Sequence, residues 1–184
     1  MSLFIKVMFL FVFSEISYSG TIYLSKSIDE LSSSKIDYEL FSDETKGLNF
    51  SSHTIGYYDT VWEKRKIKYN INLGLEFLHA KQSRGDFNFV SFFTMFNYNF
   101  SKKFYYTVYA GIDFFNHDFI LNNEEVYKPD AKGGPMYGLG FSYILNKKFP
   151  VSLNYKIYTS SIVQNDYWVD EYYRRASFSV GCKF

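Results

Sequence analysis

Cysteine and proline are nearly missing from this chain, with one Cys and three Pro in 184 residues. A lone Cys182 can form neither an internal disulfide nor a thiolate metal cluster. Long apolar runs are missing too: nothing past residue 13 approaches the ~20 apolar residues of a membrane helix. Histidine is limited to His53, His79 and His117, and their separation fits no metal-ligand spacing, so the sequence calls for no metal and no cofactor. Charge of one sign is also lacking. The net charge of +1 gives no electrostatic case for a nucleic-acid partner. Aromatic residues, by contrast, make up 22% of the chain. An AT-rich genome would also enrich Phe and Tyr, so the placement of the aromatics carries more information than their number.

The N-terminal residues 3–13 form a short apolar run broken by Lys6, followed by small residues at Ser17 and Ser19. This pattern reads as a secretory signal peptide over 1–19, cleaved after Ser19, with 20–184 as the mature domain. An exported membrane protein without a spanning helix must be a closed barrel, because only those two forms satisfy every backbone group in lipid. The last residues agree. Ala176, Phe178, Val180, Cys182 and Phe184 alternate with Ser177, Ser179, Gly181 and Lys183. A strand of this kind has one face for hydrocarbon and one for a crowded polar interior.

The same period of two recurs upstream. Ile67, Tyr69, Ile71, Leu73, Leu75 and Phe77 alternate with Lys68, Asn70, Asn72, Gly74 and Glu76. Comparable runs cover 92–100, 104–114, 137–143 and 149–158, all but 137–143 long enough by themselves for the 9–11 residues of a tilted spanning strand. Residues 47–58 supply one more strand, ahead of a turn at 59–65. The first strand is either 21–28 or 36–41; the former, which leaves 29–46 as a loop, is preferred, and both give eight. Tight turns with paired lysines, Asn99–Phe104 and Leu145–Phe149, alternate with polar connections at 80–86, 116–133 and 159–171. Short turns mark a periplasmic rim and long connections an external one. The external connections are acidic: Asp118, Glu124, Glu125, Asp130, Asp166, Asp170 and Glu171 stand against Lys128 and Lys132.

This pattern resembles the small eight-stranded bacterial outer-membrane proteins, the OmpX-like and OmpA-transmembrane-domain group. The resemblance implies an all-β, eight-stranded antiparallel up-and-down transmembrane barrel in the bacterial outer membrane. It implies a monomer surrounded by outer-membrane lipid and lipopolysaccharide. It also gives Phe184 a role as the terminal signal read by the barrel assembly machinery. A periplasmic peptidoglycan-binding domain has no room in this chain.

Candidate chemistry lies in the lumen. Strand parity points Glu76, Asp113, Lys156 and Arg175 inward in the outer half, where opposite charges should pair in a lumen just wide enough for side chains. Lys156 and Arg175 fall on adjacent strands, so their like charges require an acid from across the lumen. The reading is a structural ion-pair cluster, with no catalytic residue assigned. Surface or envelope work by the external loops is the expected role. A narrow OmpW-like channel and a lipid A-modifying enzyme are the alternatives. For the latter, Ser52-His53-Thr54 is the nearest match to a His-x-Ser motif, in the wrong order and on an early strand. A lipocalin-like binder would need the alternation inverted.

Overall fold

The computed structural model describes residues 20–38, 48–64, 68–82, 85–117, 119–121, 125–127, 132–146, 148–164 and 167–184. Residues 1–19, read above as a signal peptide, lie outside the described residues. The elements are β1 (Thr21–Ser27), a 3-10 turn (Asp29–Leu31), β2 (Ser33–Tyr38), β3 (Leu48–Asn49), β4 (Ser51–Lys64), β5 (Tyr69–Gln82) and β6 (Gly85–Asn99). They continue with β7 (Phe104–His117), β8 (Phe119–Leu121), β9 (Glu125–Tyr127), β10 (Lys132–Ile144), β11 (Pro150–Gln164) and β12 (Tyr167–Lys183).

Eight of these close the wall in the order β1-β4-β5-β6-β7-β10-β11-β12, with β12 returning to β1. Every pairing is antiparallel, and closure runs from Thr21↔Lys183 to Ser27↔Ser177. The Phe184 N–H adds a bond to the Gly20 carbonyl at 3.0 Å. Closure leaves no unpaired edge within the lipid, which is the condition for crossing a membrane with strands.

The alternation read from the sequence decides which way each side chain points. Phe178 is 46% exposed and Ser179 6%, and Leu139 is 62% exposed on the strand whose inward positions are Gly138 and Gly140. The outer wall is therefore apolar, as hydrocarbon requires. At the rim with the short turns, the rings of Phe100, Phe104, Tyr106, Phe141 and Tyr143 stack with centroids 4.7 to 6.1 Å apart. Such a cluster is the aromatic girdle of a membrane interface.

The structure corrects three details at the strand ends. Both candidates for the first strand contribute to one interrupted strand. β1 pairs with the lower part of β12, and β2, beginning at Ser33, pairs with its upper part from Val169 to Arg174. The 3-10 turn between them absorbs the insertion, so 29–46 is not wholly loop. β4 continues to Lys64 through a register shift between Thr60 and Trp62, beyond the turn expected from 59. At the rim away from the paired-lysine turns β11 reaches Gln164 and pairs there with Tyr167, so 159–164 and 167–171 are strand rather than loop. Asp170 and Glu171 accordingly belong to β12, Glu125 to β9 and Lys132 to β10. Asp118, Glu124, Lys128, Asp130 and Asp166 lie outside the described residues.

Candidate functional site

The lumen is filled in layers, and strand direction gives their order. β5 runs outward, so Leu78 and Ala80 lie beyond Glu76; β6 runs inward, so Phe87 and Phe89 precede Ser91. These side chains meet Phe50, Met136, Tyr158 and Tyr173 in one buried cluster. Ring centroids are 5.2 Å apart for Phe50–Phe87, 4.8 Å for Phe87–Tyr173 and 5.0 Å for Phe89–Tyr158. Phe50 reaches this block because the strand is broken between β3 and β4, where its N–H bonds the Ser32 carbonyl at 3.2 Å.

Below the aromatic block lies the charged layer. Glu76 is 1% exposed, Asp113 0%, Lys156 3% and Arg175 1%, so all four sequence-selected residues are inside the wall. Lys156 and Arg175 are register partners on β11 and β12. Glu76 meets Lys156 from the other side of the barrel, its Oε2 accepting from Nζ at 2.6 Å. Two tyrosines complete the carboxylate's shell: Tyr23 donates at 2.6 Å and Tyr158 at 2.9 Å. The Lys156 ammonium also lies over the rings of Phe93 and Tyr109, 4.7 and 4.5 Å from their centroids. An ion in low dielectric is tolerable when each remaining polar site has a partner of this sort.

Arg175 takes a different route. Its guanidinium donates to Ser52 Oγ at 2.7 Å, Ser25 Oγ at 2.9 Å and Ser177 Oγ at 3.2 Å. Ser27, on the same face of β1, accepts from the Ser52 N–H at 2.7 Å and steadies that row. Asp113 stands apart: among the described residues neither of its carboxylate oxygens has a hydrogen-bond partner, nor does the hydroxyl of Ser91, its register partner on β6. The four residues thus form one ion pair, one hydroxyl-bound cation and one isolated carboxyl rather than a single mutual cluster.

Parity identifies the inward tyrosines and serines as lumen residues, but the sequence does not single them out as partners of particular charges. Phe87 and Phe89 escape the sequence reading for another reason. Residues 87–96 are apolar on both faces, so the alternation there is masked. The reverse-ordered Ser52 and His53 point to opposite sides of the wall, Ser52 inward to Arg175 and His53 outward. The structure therefore does not bring that pair together.

Toward the rim with the short turns, Tyr109 donates to Asn154 Oδ1 at 2.8 Å, and Asn154 donates to Ser179 Oγ at 3.0 Å. Beside them lies a small cavity lined by Tyr23, Tyr58, Tyr105, Tyr109 and Ser152.

No protein-family model matches the chain, and no curated protein matches its sequence. Solved structures do. Neisserial surface protein A is 13% identical with a TM-score of 0.61, over 91% of this chain and 98% of that one. The N-terminal β-barrel domain of Pseudomonas aeruginosa OprF is 13% identical with a TM-score of 0.52, over 89% and 97%. At this identity the likeness is one of fold: a closed eight-stranded barrel of the small bacterial outer-membrane class.

Proposed function

We propose that this outer-membrane barrel is a closed anchor that holds external β structure at the cell surface, in support of envelope integrity or of binding to a surface partner. The observation that carries the reading is the aromatic block of Phe50, Phe87, Phe89, Tyr158 and Tyr173 above the Glu76–Lys156 pair. Together they fill a lumen that in eight-stranded barrels has room for little beyond side chains. Strand length supports the second half of the proposal. β11 has 15 residues and β12 has 17, beyond the 9–11 that cross the hydrocarbon. The excess lies on the external side, where β2 and β3 extend the same sheet and β8 and β9 form a separate hairpin.

The test is reconstitution of the purified mature protein into a planar bilayer. The expected record is silent, and Phe87→Ala with Phe89→Ala is expected to add brief openings by removing the ring contacts. Stable ohmic steps from the unaltered protein would favour a narrow channel instead. Lipid A from cells with and without the protein is expected to give the same mass spectrum. A changed acyl count would favour an enzyme.

A further inference from the structure

The outer wall is not uniformly apolar. Lys26 on β1 is an outward, exposed residue, and its register partner on β4 is His53, also exposed. His53 is in turn the register partner of His79 on β5, and Lys81 follows two residues further out. On the other flank of β1, Arg174 projects outward from β12 above Phe178, the register partner of Lys26 on that strand. Five basic side chains therefore line one side of the barrel on four adjacent strands. Among the described residues, neither Lys26 nor Arg174 has an ion-pair partner.

Their position gives the patch its meaning. On the membrane side of it are Leu24, Ile55 and Phe77, exposed by 62, 45 and 43%. The opposite side of the barrel differs: the outward positions of β7 from Phe104 to Phe114 and of β10 from Gly133 to Tyr143 contain no charged residue. Among the residues whose side chains are described, three acidic groups lie near the patch. Asp86 lies 4.0 Å from His79, and Asp29 and Glu30 occupy the 3-10 turn after β1, with Asp29 accepting from Ser27 Oγ at 2.7 Å. Long basic side chains at the edge of an apolar band turn their charges toward the headgroups. A partner for this surface must then offer acyl chains below and anionic groups above.

We infer that Lys26, His53, His79 and Arg174 form a binding surface for the phosphate groups of a phosphorylated lipid in the external leaflet, whose acyl chains lie against Leu24, Ile55 and Phe77. The inference rests on the reading of the barrel as membrane-embedded with its long connections outside.

The experiment uses the mature barrel in phosphatidylcholine nanodiscs that contain either bisphosphorylated lipid A, dephosphorylated lipid A or no added lipid. Native mass spectrometry counts the lipid retained on the protein. The unaltered barrel should retain the bisphosphorylated form preferentially. Lys26→Gln with Arg174→Gln should reduce that retention about five-fold per residue, as one basic group near an anionic bilayer surface contributes ~1 kcal/mol. Lys26→Arg with Arg174→Lys should restore it, and Lys102→Gln with Lys103→Gln at the opposite rim should leave it unchanged. Equal retention by the Gln pair and the unaltered barrel, or equal retention of the two lipid A forms, overturns the inference while the anchor reading stands. Failure of the unaltered barrel to insert into any nanodisc overturns the membrane reading and this inference with it.

Discussion

Removing Glu76 should harm the barrel more than removing Glu76 and Lys156 together. Tyr23 and Tyr158 donate to different oxygens of the Glu76 carboxylate, at 2.6 and 2.9 Å; Glu76→Gln keeps an oxygen for one of these hydroxyls and turns an amide N–H toward the other, whose oxygen can accept. The substitution leaves the Lys156 ammonium without its counter-charge, 3% exposed and beside Arg175, its register partner. Breaking a buried pair from one side costs about 3–5 kcal/mol. The rings of Phe93 and Tyr109 offset part of this, each cation–π contact contributing ~0.5–2 kcal/mol, so about 2–4 kcal/mol should remain.

Lys156→Met alone leaves Glu76 anionic but still bonded to two tyrosines and in the field of Arg175, a loss nearer ~2 kcal/mol by the same reasoning. In the double variant both charges are gone and the tyrosines keep an amide partner, so the loss should fall to about 1–2 kcal/mol. The coupling energy is then roughly 2–5 kcal/mol, far above the ~0.5 kcal/mol within which independent sites add. Urea titration of the four proteins folded into lipid vesicles, followed by tryptophan fluorescence and the unheated gel shift, measures it. Additive losses would refute the reasoning and mean that the two groups are separately solvated in a wet lumen.

Three further outcomes are expected. Leu139→Arg and Phe178→Arg, on the lipid face, should each cost about 2–4 kcal/mol in the same titration, and Ser179→Arg should instead lower folding yield through crowding; a fluorescence-accessibility scan with Phe178 in water and Ser179 in lipid would reverse the assignment. Phe184→Ala should assemble into outer membranes less well than Phe184→Tyr, measured as the heat-modifiable fraction, and equal fractions would make the terminal ring incidental. Asp113→Asn should be neutral or stabilising by up to ~1 kcal/mol, because it removes a desolvated charge and breaks no hydrogen bond; a loss above ~2 kcal/mol would mean that Asp113 holds Arg175 electrostatically.

The wall was legible because lipid imposes a period of two on every strand that crosses it. Leu153 and Phe178 could be placed outside, and Asn154 and Ser177 inside, from alternation alone. Legibility stops where the lipid stops. Beyond Thr159 the β11–β12 ladder continues to Gln164↔Tyr167, more residues than the hydrocarbon needs. No apolar face is needed there, so the sequence carries no alternation and reads as loop. The first strand was ambiguous for a related reason. The 3-10 turn at Asp29–Leu31 interrupts the pattern, and the two fragments on either side looked like competing candidates although they pair with one strand, β12.

Inside the lumen, parity gives the side of the wall but not the partner. Lys156 and Arg175, adjacent cations, seemed to share the need for an acid from across the lumen. The structure separates them by chemistry instead: the compact ammonium takes the carboxylate, and the broader guanidinium spreads over three hydroxyls from β1, β4 and β12. That division suits the donors, since a guanidinium has five N–H groups in a fixed plane and an ammonium three on one atom. Nothing in the local sequence marks Ser25, Ser52 and Ser177 as partners of one cation. Their joint role emerges only when closure of β12 on β1 brings the two ends of the chain together around Arg175. A residue at the seam of a barrel therefore has partners that no local pattern can reveal, and Arg175 is such a residue here.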